Sequence, residues 1–160
     1  MMLGLSLAQF TIVHVAISLI AIAAGLLFFG ALLGGRWLGR TNALFLLFTI
    51  LTSVTGFLFP PKPIGPPFIF GVVSLILLAV ALYALSARRG PRGRRLAYLL
   101  PALAAQWLNM VVLVVQAYQK VPALNALAPT GTEPALLATQ GVVLLAVVYT
   151  GWRIVVGSSR

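Results

Sequence analysis

Cysteine is absent from this chain of 160 residues, acidic side chains are reduced to Glu133 alone, and histidine to His14 alone. Without cysteine there is no disulfide, no thiolate metal ligand and no thiol nucleophile, and the redox compartment is left unmarked. One histidine and one carboxylate make neither the cluster that a metal site wants nor the paired axial ligands of a membrane haem. A hydrolase needs a nucleophile with a base and an orienting group. His14 is a candidate base, but no GxSxG turn and no neighbouring acid accompany it. No cofactor, metal ligand or catalytic residue is therefore assigned.

Charge is also scarce. Only 8% of the residues are charged and 61% are hydrophobic, against about 25% charged in soluble domains. That is the composition of a membrane protein. A net charge of +10 would suggest nucleic acid if it lay on one face of a soluble domain. Here the basic residues sit in short loops between apolar runs, so the lipid bilayer, and not nucleic acid, is the expected partner. The N-terminal MMLGLSLAQF lacks the basic region of a signal peptide, and the apolar run after it is too long for one, so it is expected to stay as a span.

What the chain does have is apolar runs. Five reach the length needed to cross a hydrocarbon core, about 17 to 25 residues: 7–33, 42–59, 68–87, 96–119 and 135–152. The expected fold is all-α, a single bundle of five transmembrane helices over residues 1–160. Arg36, Arg40, Arg88, Arg89, Arg92, Arg94, Arg95, Arg153 and Arg160 all fall on one side of that arrangement, and Lys62 and Lys120 on the other. The positive-inside rule then places the N-terminus outside and the C-terminus in the cytoplasm. The run RRGPRGRR serves either as a topology anchor or as an anionic-lipid site. FPPKPIGPPF, Phe59 to Phe68, is too rich in proline for helix and reads as a stiff outer cover. No internal repeat of the transporter kind is visible.

Polar chemistry concentrates between Gln106 and Glu133. Gln106, Asn109, Leu113, Gln116 and Lys120 follow at steps of three and four, so they share a helix face, and three carboxamides on a face are expected to find partners inside the protein. Gln140 on the fifth span is a natural partner. Span one carries Thr11, His14, Ser18, Ala21 and Gly25 on one face, with Gly30 and Gly34 as a GxxxG that would admit another helix within the bundle or across a dimer. Thr49, Thr52 and Gly56 share a face of span two and read as hydrogen-bonding glue. Thr130 and Glu133 have capping-box spacing before span five, and Glu133 is also placed to pair with Lys120.

In the inferred orientation His14, Ser53, Gln116 and Gln140 lie within about two turns of the outer surface. The leading expectation is an outward-facing polar pocket of His14, Ser53, Asn109, Gln116 and Gln140, with Lys120 and Glu133 at its mouth. Such a pocket binds or passes a small or amphipathic molecule or a proton. Two alternatives stand beside it. One is an accessory or assembly subunit whose polar faces bind a membrane-protein partner or a second copy. The other is an enzyme acting on lipid or quinone at the outer leaflet, with His14 as acid or base and Lys120 holding an anionic headgroup.

TSVTGFLFP, Thr52 to Pro60, and VLVVQAYQKVPALNALAPT, Val112 to Thr130, with the EP that follows, resemble a group of small bacterial multi-span inner-membrane proteins. The resemblance implies a bacterial cytoplasmic membrane and carries over no functional residue. The size and span number are also similar to those of the tryptophan-rich sensory proteins, which bind porphyrins and cholesterol. Three tryptophans and the lack of a matching loop motif set this chain apart from them.

Overall fold

A computed structural model describes residues 4–60, 65–85 and 92–157. Lys62 and most of the proline-rich loop, together with Arg88, Arg89 and Arg160, lie outside the described residues. Six helices follow in order: α1 (Leu7–Leu33), α2 (Gly39–Phe57), α3 (Pro66–Ala84), α4 (Arg92–Lys120), the single turn α5 (Pro122–Asn125) and α6 (Pro134–Gly157). Among the described residues there is no β-strand. α1, α2, α4 and α6 are long and apolar enough to cross a membrane, the composition of a multi-pass membrane protein. α3 is equally apolar, but its stretch Phe68–Ala84 is shorter than theirs.

Local chemistry explains the ends of α1. Ser6 and Gln9 form a reciprocal capping box, with Gln9 N donating to Ser6 Oγ at 3.3 Å and Ser6 N to Gln9 Oε1 at 2.9 Å. At the other end Gly35, at φ +77°, permits the left-handed turn in which Arg36 N bonds Ala31 O and Gly35 N bonds Leu32 O. The chain therefore reverses tightly, and α2 packs antiparallel along α1. α2 lacks a side-chain cap. It begins three residues before the expected apolar run, and α4 four before, because helices continue past the hydrocarbon edge where arginine stems can cover apolar surface. Pro101 lies inside α4 and not in its first turn, so the helix loses one internal hydrogen bond there.

Packing is uneven along the bundle. The main cluster joins Phe28 and Phe29 of α1, Phe45 and Leu46 of α2, Leu78 and Ala81 of α3, Tyr98, Leu99 and Ala102 of α4, and Ile154 of α6. All of these lie toward one end, where α1 finishes and α2 begins. Edge-to-face ring pairs knit it: Phe28 on Trp37 at 5.0 Å and Phe29 on Phe45 at 5.8 Å. In lipid such packing stabilises through dispersion and not through water exclusion. The opposite end holds a small cluster of Tyr118, Ala128 and Leu136, and the buried Phe10 pairs edge-to-face with Phe59 at 5.0 Å. The polar residues singled out in the sequence fall between the two clusters or beside the small one.

Candidate functional site

α4 is the post to which the other helices are tied, and its polar side chains make the ties. At its first end the Tyr98 hydroxyl donates to Asn42 Oδ1 of α2, and both residues are buried. Two turns on, Gln106 is 2% exposed and donates Nε2 to the Ile22 carbonyl of α1 at 3.1 Å. It fits because Gly25 has no side chain: a Cβ there would overlap the Gln106 carboxamide. Asn109 Nδ2 then donates to Thr49 Oγ1 of α2 at 3.2 Å. Gln140 of α6 donates to the Val111 carbonyl at 3.0 Å, and Tyr118 lies 2.8 Å from Thr139 Oγ1 of α6. Each tie gives a polar group a partner that lipid cannot supply.

His14 sits apart from this series. Its Nδ1 is 2.7 Å from Thr55 Oγ1 of α2, and the Thr55 hydroxyl donates to the Leu51 carbonyl, also at 2.7 Å. The Thr55 hydroxyl thus bridges the imidazole of α1 and the backbone of its own helix. Phe59 covers the ring edge-to-face at 5.1 Å. The arrangement joins α1 to α2 and leaves His14 half-buried.

The structure thus gives the expected site residues separate partners. Ser53 is buried on the same α2 face as Thr49. Gln116 and Lys120 are exposed, against the expectation that Gln116 faces inward beside Gln140. The reason is geometric. At 100° per residue Tyr118 lies about 120° round α4 from Gln106, and Tyr118 is the buried residue near the C-terminal end of α4. The packed side of α4 therefore rotates between its halves, and a stripe that starts inside ends outside.

Glu133 is also differently employed. Its Oε1 accepts from Thr130 N and Thr130 Oγ1, both at 2.8 Å, and its Oε2 accepts from Thr132 N at 2.9 Å. The carboxylate accepts three hydrogen bonds within its own turn, and none from Lys120. Nor is this the expected capping box: α6 starts at Pro134 and Leu137 N bonds the Glu133 carbonyl, so Glu133 itself is the cap residue. Donation by the Thr130 amide, opposed by desolvation and helped by the Thr130 hydroxyl and the Glu133 and Thr132 amides, lowers its pKa to about 2.

Among the described residues, helix gaps form clefts at two places that bear on these side chains. One, of about 430 Å³, lies between α2 and α3 and is lined by Trp37, Asn42, Ala43, Leu46, Ile50 and Leu85 among others. The other, of about 180 Å³, lies among α1, α4 and α6 and is lined by Gly25, Phe29, Leu103, Gln106, Ala146 and Thr150 among others. Neither is lined by His14, Ser53, Gln116 or Gln140. Gln106 Oε1, Gln140 Oε1 and Trp107 Nε1 are buried without hydrogen-bond partners. Of these residues Gln106 alone borders the second cleft. The sequence marked both Gln106 and Gly25 as lying on polar or small-residue faces, and their opposition across α1 and α4 is the signal that joins them. Among the described residues no group of His, Cys, Asp or Glu is placed to hold a metal ion. Comparison with family models, with curated proteins and with solved structures returned no match.

Proposed function

We propose that this is a non-enzymatic, five-span protein of the bacterial cytoplasmic membrane that holds a small amphipathic molecule in the cleft among α1, α4 and α6. α3 counts as the fifth span because its 19 residues rise about 28 Å, close to the roughly 30 Å hydrocarbon core. The arginines at the α1–α2 turn and at the start of α4 favour an N-terminus outside.

The observation that carries the binding role is Gln106 Oε1, a carbonyl oxygen buried without a partner beside a cleft whose lining is apolar but for Gln106 and Thr150. A buried acceptor left unmade is unfavourable by about 1–3 kcal/mol, and a ligand hydroxyl or amine would satisfy it while its apolar body lay against Leu26, Phe29 and Met110. His14, Asn109 and Gln140 are in this reading ties that hold the helices around the cleft, and Gln116 faces outward. The test is native mass spectrometry of the protein extracted gently from its own membrane. A retained small molecule should be lost on Gln106→Leu and on Ala146→Phe, which fills the cleft. Unchanged adducts in both variants would count against the proposal.

A second reading, an accessory subunit, is favoured by α6. Only 6% of its most apolar window is buried, and Tyr149, Trp152 and Val148 face out of the bundle. It predicts a larger complex that loses this chain when Val148 and Trp152 are replaced by alanine.

A further inference from the structure

The α2–α3 cleft is not used by the proposed ligand site, and its position and charge point to a different occupant. Its α2 wall runs from Gly39 to Ile50, a rise of about 16 Å and so about half of a hydrocarbon core. The cleft therefore spans one leaflet. Apart from Asn42 and the Trp37 indole its lining is apolar: Leu46, Leu47, Ile50, Leu82 and Leu85. Trp37 stands at its entrance, the depth at which indoles mark a membrane interface.

The entrance is cationic. Arg36 and Arg40 adjoin the lining residues Trp37 and Gly39, and both are exposed. Trp37 packs on Tyr98 of α4 at 5.8 Å, and Tyr98 bonds the lining residue Asn42. Arg95 lies one turn before Tyr98 on the same face of α4, and its Nε is buried with no hydrogen-bond partner. The single carboxylate side chain of the protein, Glu133, is at the opposite end of α4 and already accepts three hydrogen bonds. No second acidic side chain exists to balance this rim.

We propose that the α2–α3 cleft binds one anionic phospholipid, with an acyl chain along Leu46, Leu47 and Ile50 and the phosphate at Arg36, Arg40 and Arg95. An apolar groove one leaflet deep accounts for the chain, and an uncompensated arginine rim for the charge. A zwitterionic lipid satisfies the groove but not the rim.

The experiment uses the full-length protein stripped of lipid in detergent and titrated with phosphatidylglycerol or phosphatidylcholine of matched chains, read by native mass spectrometry. Phosphatidylglycerol should be preferred by on the order of fivefold for each arginine engaged. Arg36→Gln with Arg40→Gln should remove most of that preference while one lipid of either kind still binds. Ala43→Phe, which obstructs the groove with the arginines intact, should abolish the tight adduct. Millimolar inorganic phosphate should not displace it, since the acyl chain is part of the contact. Equal affinity for the two lipids, a preference undiminished by the double arginine change, or displacement by phosphate alone would overturn the proposal.

Discussion

Gln106 occupies the space that a side chain at Gly25 would need, so the closest approach of α1 to α4 depends on the smallest residue facing a carboxamide. Gly25→Val should therefore destabilise the bundle by about 1–3 kcal/mol, the usual effect of overpacking. Gln106→Ala in the same chain should recover part of it, because the two positions compete for one volume. Thermal unfolding in detergent of the two single variants and the double variant checks this. Additive losses would show that the two residues do not share that space.

The Tyr98–Asn42 bond buries a hydroxyl and a carboxamide inside the main cluster. Tyr98→Phe leaves Asn42 Oδ1 without that donor in a region that excludes water. Stability should fall by about 1 kcal/mol, in line with polar contacts between membrane helices. Asn42→Leu in the Tyr98→Phe background should be milder than in the wild type, since the acceptor and its donor are then both removed. A double-mutant cycle by denaturant or thermal unfolding measures the coupling.

How much of this was legible in the sequence depends on the kind of residue. The long apolar run of α1 gave its limits, because Ser6 opens the helix and Gly34 and Gly35 close it. The shared faces of His14 with Ser18 and of Gln106 with Asn109 were readable from helical spacing. Their partners were not. Gln140 and Gln106 each donate to a backbone carbonyl, which every residue carries, so no side-chain pattern identifies the acceptor. Gln116 was placed inward because spacing assumes that one side of a helix stays buried along its length. In α4 the buried side moves as its neighbours change, from Leu99 and Ala102 to Tyr118. The clefts were illegible for a related reason: a gap between helices depends on how neighbouring side chains fail to fill it.

His14 joins α1 to α2 through Thr55. Thr55→Val removes the hydroxyl and keeps the shape, so it should loosen the N-terminal end of α1 with a loss of about 1 kcal/mol or less. Hydrogen exchange in α1 near Ile12 to Val15 should rise while exchange near Phe28 does not. Small-molecule retention at the Gln106 cleft should be unaffected. Loss of that retention in Thr55→Val would return His14 to the binding site.

The absence of cysteine makes orientation directly measurable, because any introduced thiol is the only one. Gly34→Cys, in the turn after α1 and exposed at an ordinary φ of −86°, should be labelled by a membrane-impermeant maleimide only after the cells are opened. Thr132→Cys, in the exposed loop before α6, should be labelled in intact spheroplasts. Labelling of both from the same side would remove the five-span arrangement, because in it three crossings, α2, α3 and α4, put the two loops on opposite sides.

The turn before α6 should respond to acid in a defined window. The Glu133 pKa is lowered to about 2 by the Thr130 amide, the Thr130 hydroxyl and the Thr132 amide. A depressed carboxylate stabilises the folded turn fully above its unfolded pKa of about 4.3, and that contribution is lost as pH falls toward about 2. From neutral pH down to about 5 the turn should therefore be unchanged, since Glu133 stays ionised in both states. Below that, exchange of the Thr130 and Thr132 amides should rise as their acceptor is protonated. Glu133→Gln should raise exchange at both amides at neutral pH, because one carboxamide oxygen cannot accept from two amides and a hydroxyl as the two carboxylate oxygens do. Its exchange should then be flat across the acid window once intrinsic rates are removed. If the wild-type turn loosened between pH 7 and 5, Glu133 would not be the group that orders it.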